Sequence, residues 1–413
     1  MESYEIFTLI VCLAAVCSFL NHRFLKWTPT IGITFLSLVF SLFLVLTSDL
    51  LPTYSKGFID IIKSIDFNTL LMKGMLGFLL FAGAVHIDAD TLRKQRWPIV
   101  VLSTIGIFIS TAVVGGILYF LSGLLGLQME LIHCLLFAAL ISPTDPIAVL
   151  AILKRAGISK PLEIKIAGES LFNDGVAVVV FITILEIAGS GTASFSMGNA
   201  VLLFLKEAVG GLAYGFLLGY LGRLLLNSID NYEVEVLITI AIVMGGYMLA
   251  DKMGISGPLA MVVAGIVIGQ HGTGKRGSTD TKTYLYKFWG LIDELLNAVL
   301  FLLIGFEMLV VHAHTTTLVL GSILVFVVLF ARWLSVLLPI SILRIWMQFD
   351  KNAVAILTWG GLRGGLSIAM ALSLPASMHH DEFVAVTYMV VLFSILVQGA
   401  SVGKLYKRLS GGK

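Results

Sequence analysis

Glu169 and Asp174 stand in an otherwise apolar run, Ile166 to Leu185, with Ser170 and Asn173 between them. A carboxylate at the centre of a membrane helix costs about 2.5–3.5 kcal/mol on insertion scales, so it persists where it faces a protein interior or a water-filled cavity and serves a function. At about 100° per residue, Glu169, Ser170, Asn173 and Asp174 fall within roughly 140° of one another on a helix. The result is one oxygen-rich face on an apolar rod, the ligand chemistry of a hard cation.

A second group of residues breaks its own helix. In Ser142-Pro-Thr-Asp-Pro146 each proline removes a backbone donor and crowds the preceding turn. Backbone freed at membrane depth needs a lined cavity or buried partners. Thr144 and Asp145 lie between the prolines, where free carbonyls and half-helix ends can coordinate a cation. A simple proline kink explains the prolines but not the carboxylate between them. Gly360-Gly-Leu-Arg-Gly-Gly365 reads as a second interruption, because glycine loosens a helix and admits another backbone. Arg363 can neutralise carbonyl ends of the broken segments, as Asp145 can their amide ends. Arg332 is the other deep cation. Its natural partner is Glu169 in a structural ion pair, which leaves Asp174 as the carboxylate free to titrate.

The elements that must carry these residues are membrane spans. Of 413 residues, 58% are hydrophobic and 13% charged, and mean hydropathy is +0.99; a soluble domain carries about 25% charge. A formal net charge of +2 gives no reason to expect a nucleic-acid partner. Cys12, Cys17 and Cys134 lie in apolar runs without metal-ligand spacing, as buried thiols do. Apolar runs of spanning length predict about thirteen helices, from 5–21 to 383–403, with 256–270 the shortest. The first has an acidic flank and no basic one, so it is expected to be a span and not a cleaved signal.

Charge placement agrees with an odd number of spans. Alternate connectors and the C-terminal segment hold 20 of the 27 lysines and arginines, and the opposite connectors hold 3, Lys56, Lys63 and Lys252. The positive-inside rule then puts the N-terminus outside and the C-terminus in the cytoplasm. Leu79-Leu-Phe-Ala-Gly83 echoes Leu300-Phe-Leu-Leu-Ile-Gly305, and Pro29-Thr-Ile-Gly32 echoes Gly257-Pro-Leu-Ala260. The expected fold is therefore all-α and polytopic, with spans one to six and eight to thirteen as inverted repeats and spans five and twelve interrupted.

Ser142-Pro-Thr-Asp-Pro146 together with Glu169-Ser-Leu-Phe-Asn-Asp174 resembles the monovalent cation:proton antiporters of the NhaP/sodium–proton exchanger type. Glu235-Val-Leu-Ile-Thr239, the Gly254-to-Gly269 stretch, Asn297-Ala-Val-Leu-Phe301 with Gly305, and Gly361-Leu-Arg-Gly364 extend the likeness over nearly the whole chain, in order. The resemblance implies a homodimer in the bilayer of a bacterial inner membrane, with the two broken helices crossing, no cofactor and no enzymatic activity. It implies a scaffold of residues 1–96 and 192–312, and a core of residues 97–191 and 313–413 that moves as an elevator. It also implies roles. Asp174 matches the essential ion- and proton-binding aspartate, with Asn173 its neighbour. Ser170 and Thr144 match Na+ ligands, Asp145 the acid at the helix crossing, and Glu169 with Arg332 a core ion pair. An asparagine at 173, in place of a second acid, is associated with electroneutral one-for-one exchange in pH homeostasis. About ten residues follow the last span, so the long regulatory tail of animal exchangers is expected to be missing.

Proton and cation competing for one carboxylate would couple their fluxes, since burial disfavours a charged carboxyl and a nearby cation favours it. Na+ or Li+ is the expected cargo, with K+ the alternative. A cation channel is the rival of another class, although channels place acids in symmetric rings or a filter loop. An intramembrane aspartyl hydrolase using Asp145 and Asp174 is a further rival. The histidines, His22 to His380, fall at span ends; Asp293 and Glu294 either line a funnel or cap the tenth span; Lys206 and Glu207 suit snorkelling or interface pairing.

Overall fold

The computed structural model describes residues 3–47, 52–190, 197–270, 279–309 and 314–410. Lys275, Arg276, Lys413, His271 and His312 lie outside the described residues, as do the side chains of Lys56, Lys63 and Lys282.

Among the described residues, ten helices are long and apolar enough to cross a membrane unaided. In chain order they are span 1 (Tyr4–Leu25), span 2 (Pro29–Leu46), span 3 (Phe67–Val85), span 4 (Arg96–Leu124), span 6 (Lys160–Gly189), span 7 (Gly198–Asn227), span 8 (Tyr232–Met253), span 10 (Thr283–Leu309), span 11 (Thr315–Leu343) and span 13 (His380–Leu409). Three more passes are short or broken. Span 9 is Gly257–Gly269, span 5 is split into Leu131–Ile141 and Ile147–Arg155, and span 12 into Ala353–Trp359 and Gly365–Leu372. The thirteen expected passes are all present, and no strand occurs among the described residues. Some elements go beyond the expectation, among them a short helix, Ala89–Lys94, between spans 3 and 4. A helix, Pro52–Lys63, precedes span 3, and span 13 stays helical to Leu409. Its last turns carry Lys404, Lys407 and Arg408, which end the apolar run but not the helix.

Local chemistry sets the ends. The Asp66 carboxylate accepts from Thr69 N (2.9 Å), Asp88 from Thr91 N (3.1 Å), and Ser256 Oγ from Leu259 N (3.3 Å), each covering an amide left free in a first helical turn. Span 8 stops at Gly254, whose φ of +62° is left-handed.

Small residues let span 7 lie against span 9: a Cβ on Gly211 would stand 2.6 Å from Ser256 O, and one on Gly219 2.9 Å from Ala264 Cα. Such close backbone approach drives helix association where lipid removes a hydrophobic difference. Span 9 packs in turn on span 3, and span 10 on spans 1, 2 and 3. The other group joins span 4 to spans 5, 6 and 11, and span 11 to spans 12 and 13. Fewer contacts, chiefly span 6 with spans 7 and 9 and span 3 with span 12, link the two groups.

Candidate ion-binding site

The two broken spans cross at their gaps. Asp145 N donates to Leu362 O at 2.8 Å, the isolated antiparallel bridge of the structure. Each gap leaves helix ends that need charge or dipole partners. The Asp145 carboxylate accepts from Ile147 N at 2.9 Å, at the start of the second half of span 5. Arg363, only 2% exposed, donates through Nη1 to the carbonyls of Ser142 and Pro143, the latter at 2.9 Å.

Other side chains hold the crossing in shape. Arg363 N donates to Ser394 Oγ (3.0 Å), Ser394 Oγ to Gln398 Oε1 (2.6 Å), and Gln398 Nε2 to Trp359 O (3.1 Å). Residues Ser394–Gly399 form a π-helical turn in span 13, a local widening often found at functional sites. Ser142 Oγ donates to Ala138 O at 2.7 Å and lies 2.9 Å from Ser110 Oγ, whose hydroxyl can donate to it. Sequence reasoning gives Ser142 no role of its own within its motif and passes over Ser394 and Gln398, because serine and glutamine near membrane depth carry no pattern of their own. Their signal is three-dimensional proximity to a gap.

Span 6 answers the gap with a chain of polar contacts. Arg332 holds Glu169 bidentately, Nη1 to Oε1 at 2.7 Å and Nη2 to Oε2 at 2.9 Å, and also donates to Leu357 O at 3.2 Å. Asn173 Nδ2 donates to Glu169 Oε1 (3.1 Å) and Thr144 Oγ1 (2.8 Å), while Thr144 N donates to Asn173 Oδ1 (3.3 Å). Ser170 Oγ donates to the Thr144 carbonyl and lies 3.4 Å from Thr144 Oγ1. Glu169, Ser170, Asn173 and Thr144 are all at most 3% exposed.

Asp174 points elsewhere. It lines a cavity of about 1210 Å³ together with Thr144, Asp145, Asp293 and Asn297. Glu169, Ser170 and Asn173 do not line it. The face expected to be one ion site is thus divided between a wall of locked side chains and one carboxylate at the water-sized space. Asp174 makes no hydrogen bond or ion pair among the described residues. The mouth of the cavity carries His22, Lys26, Lys154 and Lys160, so it opens on the side of the basic connectors. Across from Asp174, span 10 contributes Asp293 and Asn297, whose Nδ2 donates to Asp293 O (2.8 Å) and Oδ1 (2.9 Å). Of the two readings for Asp293 and Glu294, the geometry favours the funnel: both lie well inside span 10 and line the cavity.

A family model described as sodium/hydrogen exchanger, transmembrane, matches residues 8–408. The chain is 47% identical over 408 residues to the Na(+)/H(+) antiporter NhaP of Pseudomonas aeruginosa, covering 98% of this chain and 96% of that one. It is 35% identical over 353 residues to the Na(+)/H(+) antiporter NhaH of Halobacillus dabanensis, covering 83% and 84%. Its fold is similar to that of the sodium proton antiporter MjNhaP1 from Methanocaldococcus jannaschii at pH 8, with a TM-score of 0.75 at 20% identity over the full length of both chains.

Proposed function

The chain belongs to the sodium/hydrogen exchanger family, and on that premise we propose that it exchanges Na+ or Li+ for H+ at Asp174, one for one. One observation carries the reading: on the wall of a cavity that reaches the basic connectors, Asp174 makes no hydrogen bond or ion pair among the described residues, while its acidic neighbour Glu169 is held by Arg332. A single uncommitted carboxylate holds a proton or a cation, not both, and that competition couples the two fluxes. Asp174 is the Na+ ligand and proton acceptor, and Thr144 and Asp145 complete the shell from the gap in span 5. Ser170 is a ligand in the same proposal, reached through a small shift, since it stands one layer behind the wall and bonded to Thr144. Asn173 keeps Thr144 and Glu169 in register.

Arg332 with Glu169 is the structural pair, and Arg363 compensates the carbonyl ends at the crossing. The loaded core, residues 97–191 and 313–413, crosses past the scaffold, residues 1–96 and 192–312. The two packing groups support that division. The empty site, ionised, crosses poorly because it drags an unpaired charge. The protein works as a homodimer in the plasma membrane, N-terminus outside and C-terminus in the cytoplasm, and serves pH homeostasis.

Dequenching of a pH dye in proteoliposomes, with NaCl, LiCl and KCl titrated in turn, tests cargo and coupling. Na+ or Li+ is expected to drive proton flux, and response to KCl alone would favour K+ as the cargo. Asp174→Asn is expected to abolish the flux while the protein stays folded. Sodium-driven proton flux surviving that substitution would sink the mechanism.

A further inference from the structure

Span 10 carries a second buried carboxylate that the exchange reading leaves unused. Glu307 is 7% exposed and has no hydrogen bond or ion pair among the described residues. A carboxylate so placed in a membrane span calls for a function, because its burial is otherwise uncompensated. It follows Asp293 by fourteen residues. On a helix that is about 21 Å along the axis and within roughly 40° of the same face. The α-helix runs to Phe306 and Glu307 opens the 3-10 turn that ends the span, so the face that presents Asp293 and Asn297 to the cavity leads, past Leu300, toward Glu307.

What separates the two ends is apolar. Leu300 and Phe301 line the cavity, and Leu300 sits so close to span 12 that a Cβ on Gly365 would lie 3.0 Å from its Cγ. Ser367 Oγ, on the cavity wall, and Thr387 Oγ1 are buried without a hydrogen-bond partner, and the Tyr388 ring shares a buried cluster with Phe306 and Leu309, which flank Glu307. Buried hydroxyls are nearly always satisfied, so the two open ones on spans 12 and 13 point to a ligand that visits in another conformation.

We propose that Glu307, with the Tyr388 hydroxyl, is the docking site for the transported monovalent cation on the face remote from the basic connectors, and that Leu300 against Gly365 is the seal closing that route here. The inference rests on the exchange reading. When the core moves, the seam opens on the far side and the cation passes between Glu307 and Asp174 along the hydroxyls of Tyr388 and Ser367.

The test uses the full-length protein in everted and right-side-out vesicles, with Na+ applied to one face at a time. Glu307→Gln is expected to raise the Na+ concentration for half-maximal exchange about fivefold or more on the far face, and less than twofold on the cavity face. Glu307→Asp is expected to restore most of the difference, and Tyr388→Phe to reproduce it in smaller degree. Equal change on both faces, or none on either, would overturn the proposal. If Glu307→Gln is not recovered folded, Tyr388→Phe decides by the same asymmetry. Unsubstituted protein that exchanges no Na+ for H+ in these vesicles would overturn the exchange reading itself; unsubstituted protein that exchanges, with Asp174→Asn inactive and no asymmetry in Glu307→Gln, would overturn this inference alone.

Discussion

Four neighbouring polar residues of span 6 have three different surroundings, and that difference is chemical. Glu169 is saturated by the guanidinium fork of Arg332, a geometry that lysine cannot reproduce. Asn173 spends its amide on Glu169 and Thr144, so it carries no charge to the site and no capacity for a second proton. Asp174 alone meets the cavity. The ion pair itself is expected to matter for stability and not for ion chemistry. Removing one partner of a buried pair leaves an uncompensated charge and typically costs about 3–5 kcal/mol, whereas replacing both with apolar residues is far milder. Glu169→Gln and Arg332→Met are each expected to lower the melting temperature in detergent sharply, and Glu169→Leu with Arg332→Met less than either. A double variant as unstable as the sum of the singles would contradict this account.

At the scale of elements, the gaps in spans 5 and 12 create the site, and each is stabilised by the other's residues. Asp145 caps the second half of its own span while its amide bonds to Leu362, and Arg363 gathers the carbonyls of Ser142 and Pro143. Gly364 is the contact point: a Cβ there would stand 2.7 Å from Asp145 Oδ2 and 2.8 Å from its Cβ. Gly364→Ala is expected to displace the Asp145 carboxylate and cut exchange at least tenfold, while Gly116→Ala in span 4, where a Cβ meets nothing within 4 Å, leaves it unchanged. Exchange measured in proteoliposomes checks both.

The connector caps obey a separate pH rule. Hydrogen bonds from Thr69 and Thr91 hold the Asp66 and Asp88 carboxyls below the usual range. Their stabilisation is thus fully present above the unfolded carboxylate value of about 3.9 and is lost as pH falls through the lower folded value. Asp88→Ala is expected to lower the melting temperature by a constant amount from pH 5 to 8, with the gap closing below about pH 4. A gap that varies near neutrality would contradict the assignment.

For the whole molecule, the decisive quantity is the charge that crosses. One uncommitted carboxylate exchanging one proton for one Na+ moves no net charge per cycle, so the rate is expected to be independent of an imposed membrane potential. A potential clamp across proteoliposomes measures this directly. A rate that rises or falls with potential would show that a second titrating group travels with Asp174. The cavity on the side of the basic connectors and the fewer contacts between the two packing groups support the proposed movement of the core past the scaffold.

Much of this was legible in the residues, for a reason specific to membranes. Hydrocarbon leaves spanning backbone no partner but itself, so apolar length alone determined thirteen passes, and prolines or paired glycines inside a pass had to be breaks. Deep charges are few enough that Arg332 and Glu169 identify one another. The helical angle also placed Glu169, Ser170, Asn173 and Asp174 on one side of span 6. Angle, however, states direction and not neighbour. Only the tertiary structure decided that Thr144 of span 5 would engage Ser170 and Asn173, that Arg332 of span 11 would hold Glu169 and leave Asp174 on the cavity wall, that Ser394 and Gln398 would brace Arg363, and that Glu307 would be buried. Each of those outcomes depends on which helix lies across the gap, a contact between residues far apart in the chain that no local period encodes.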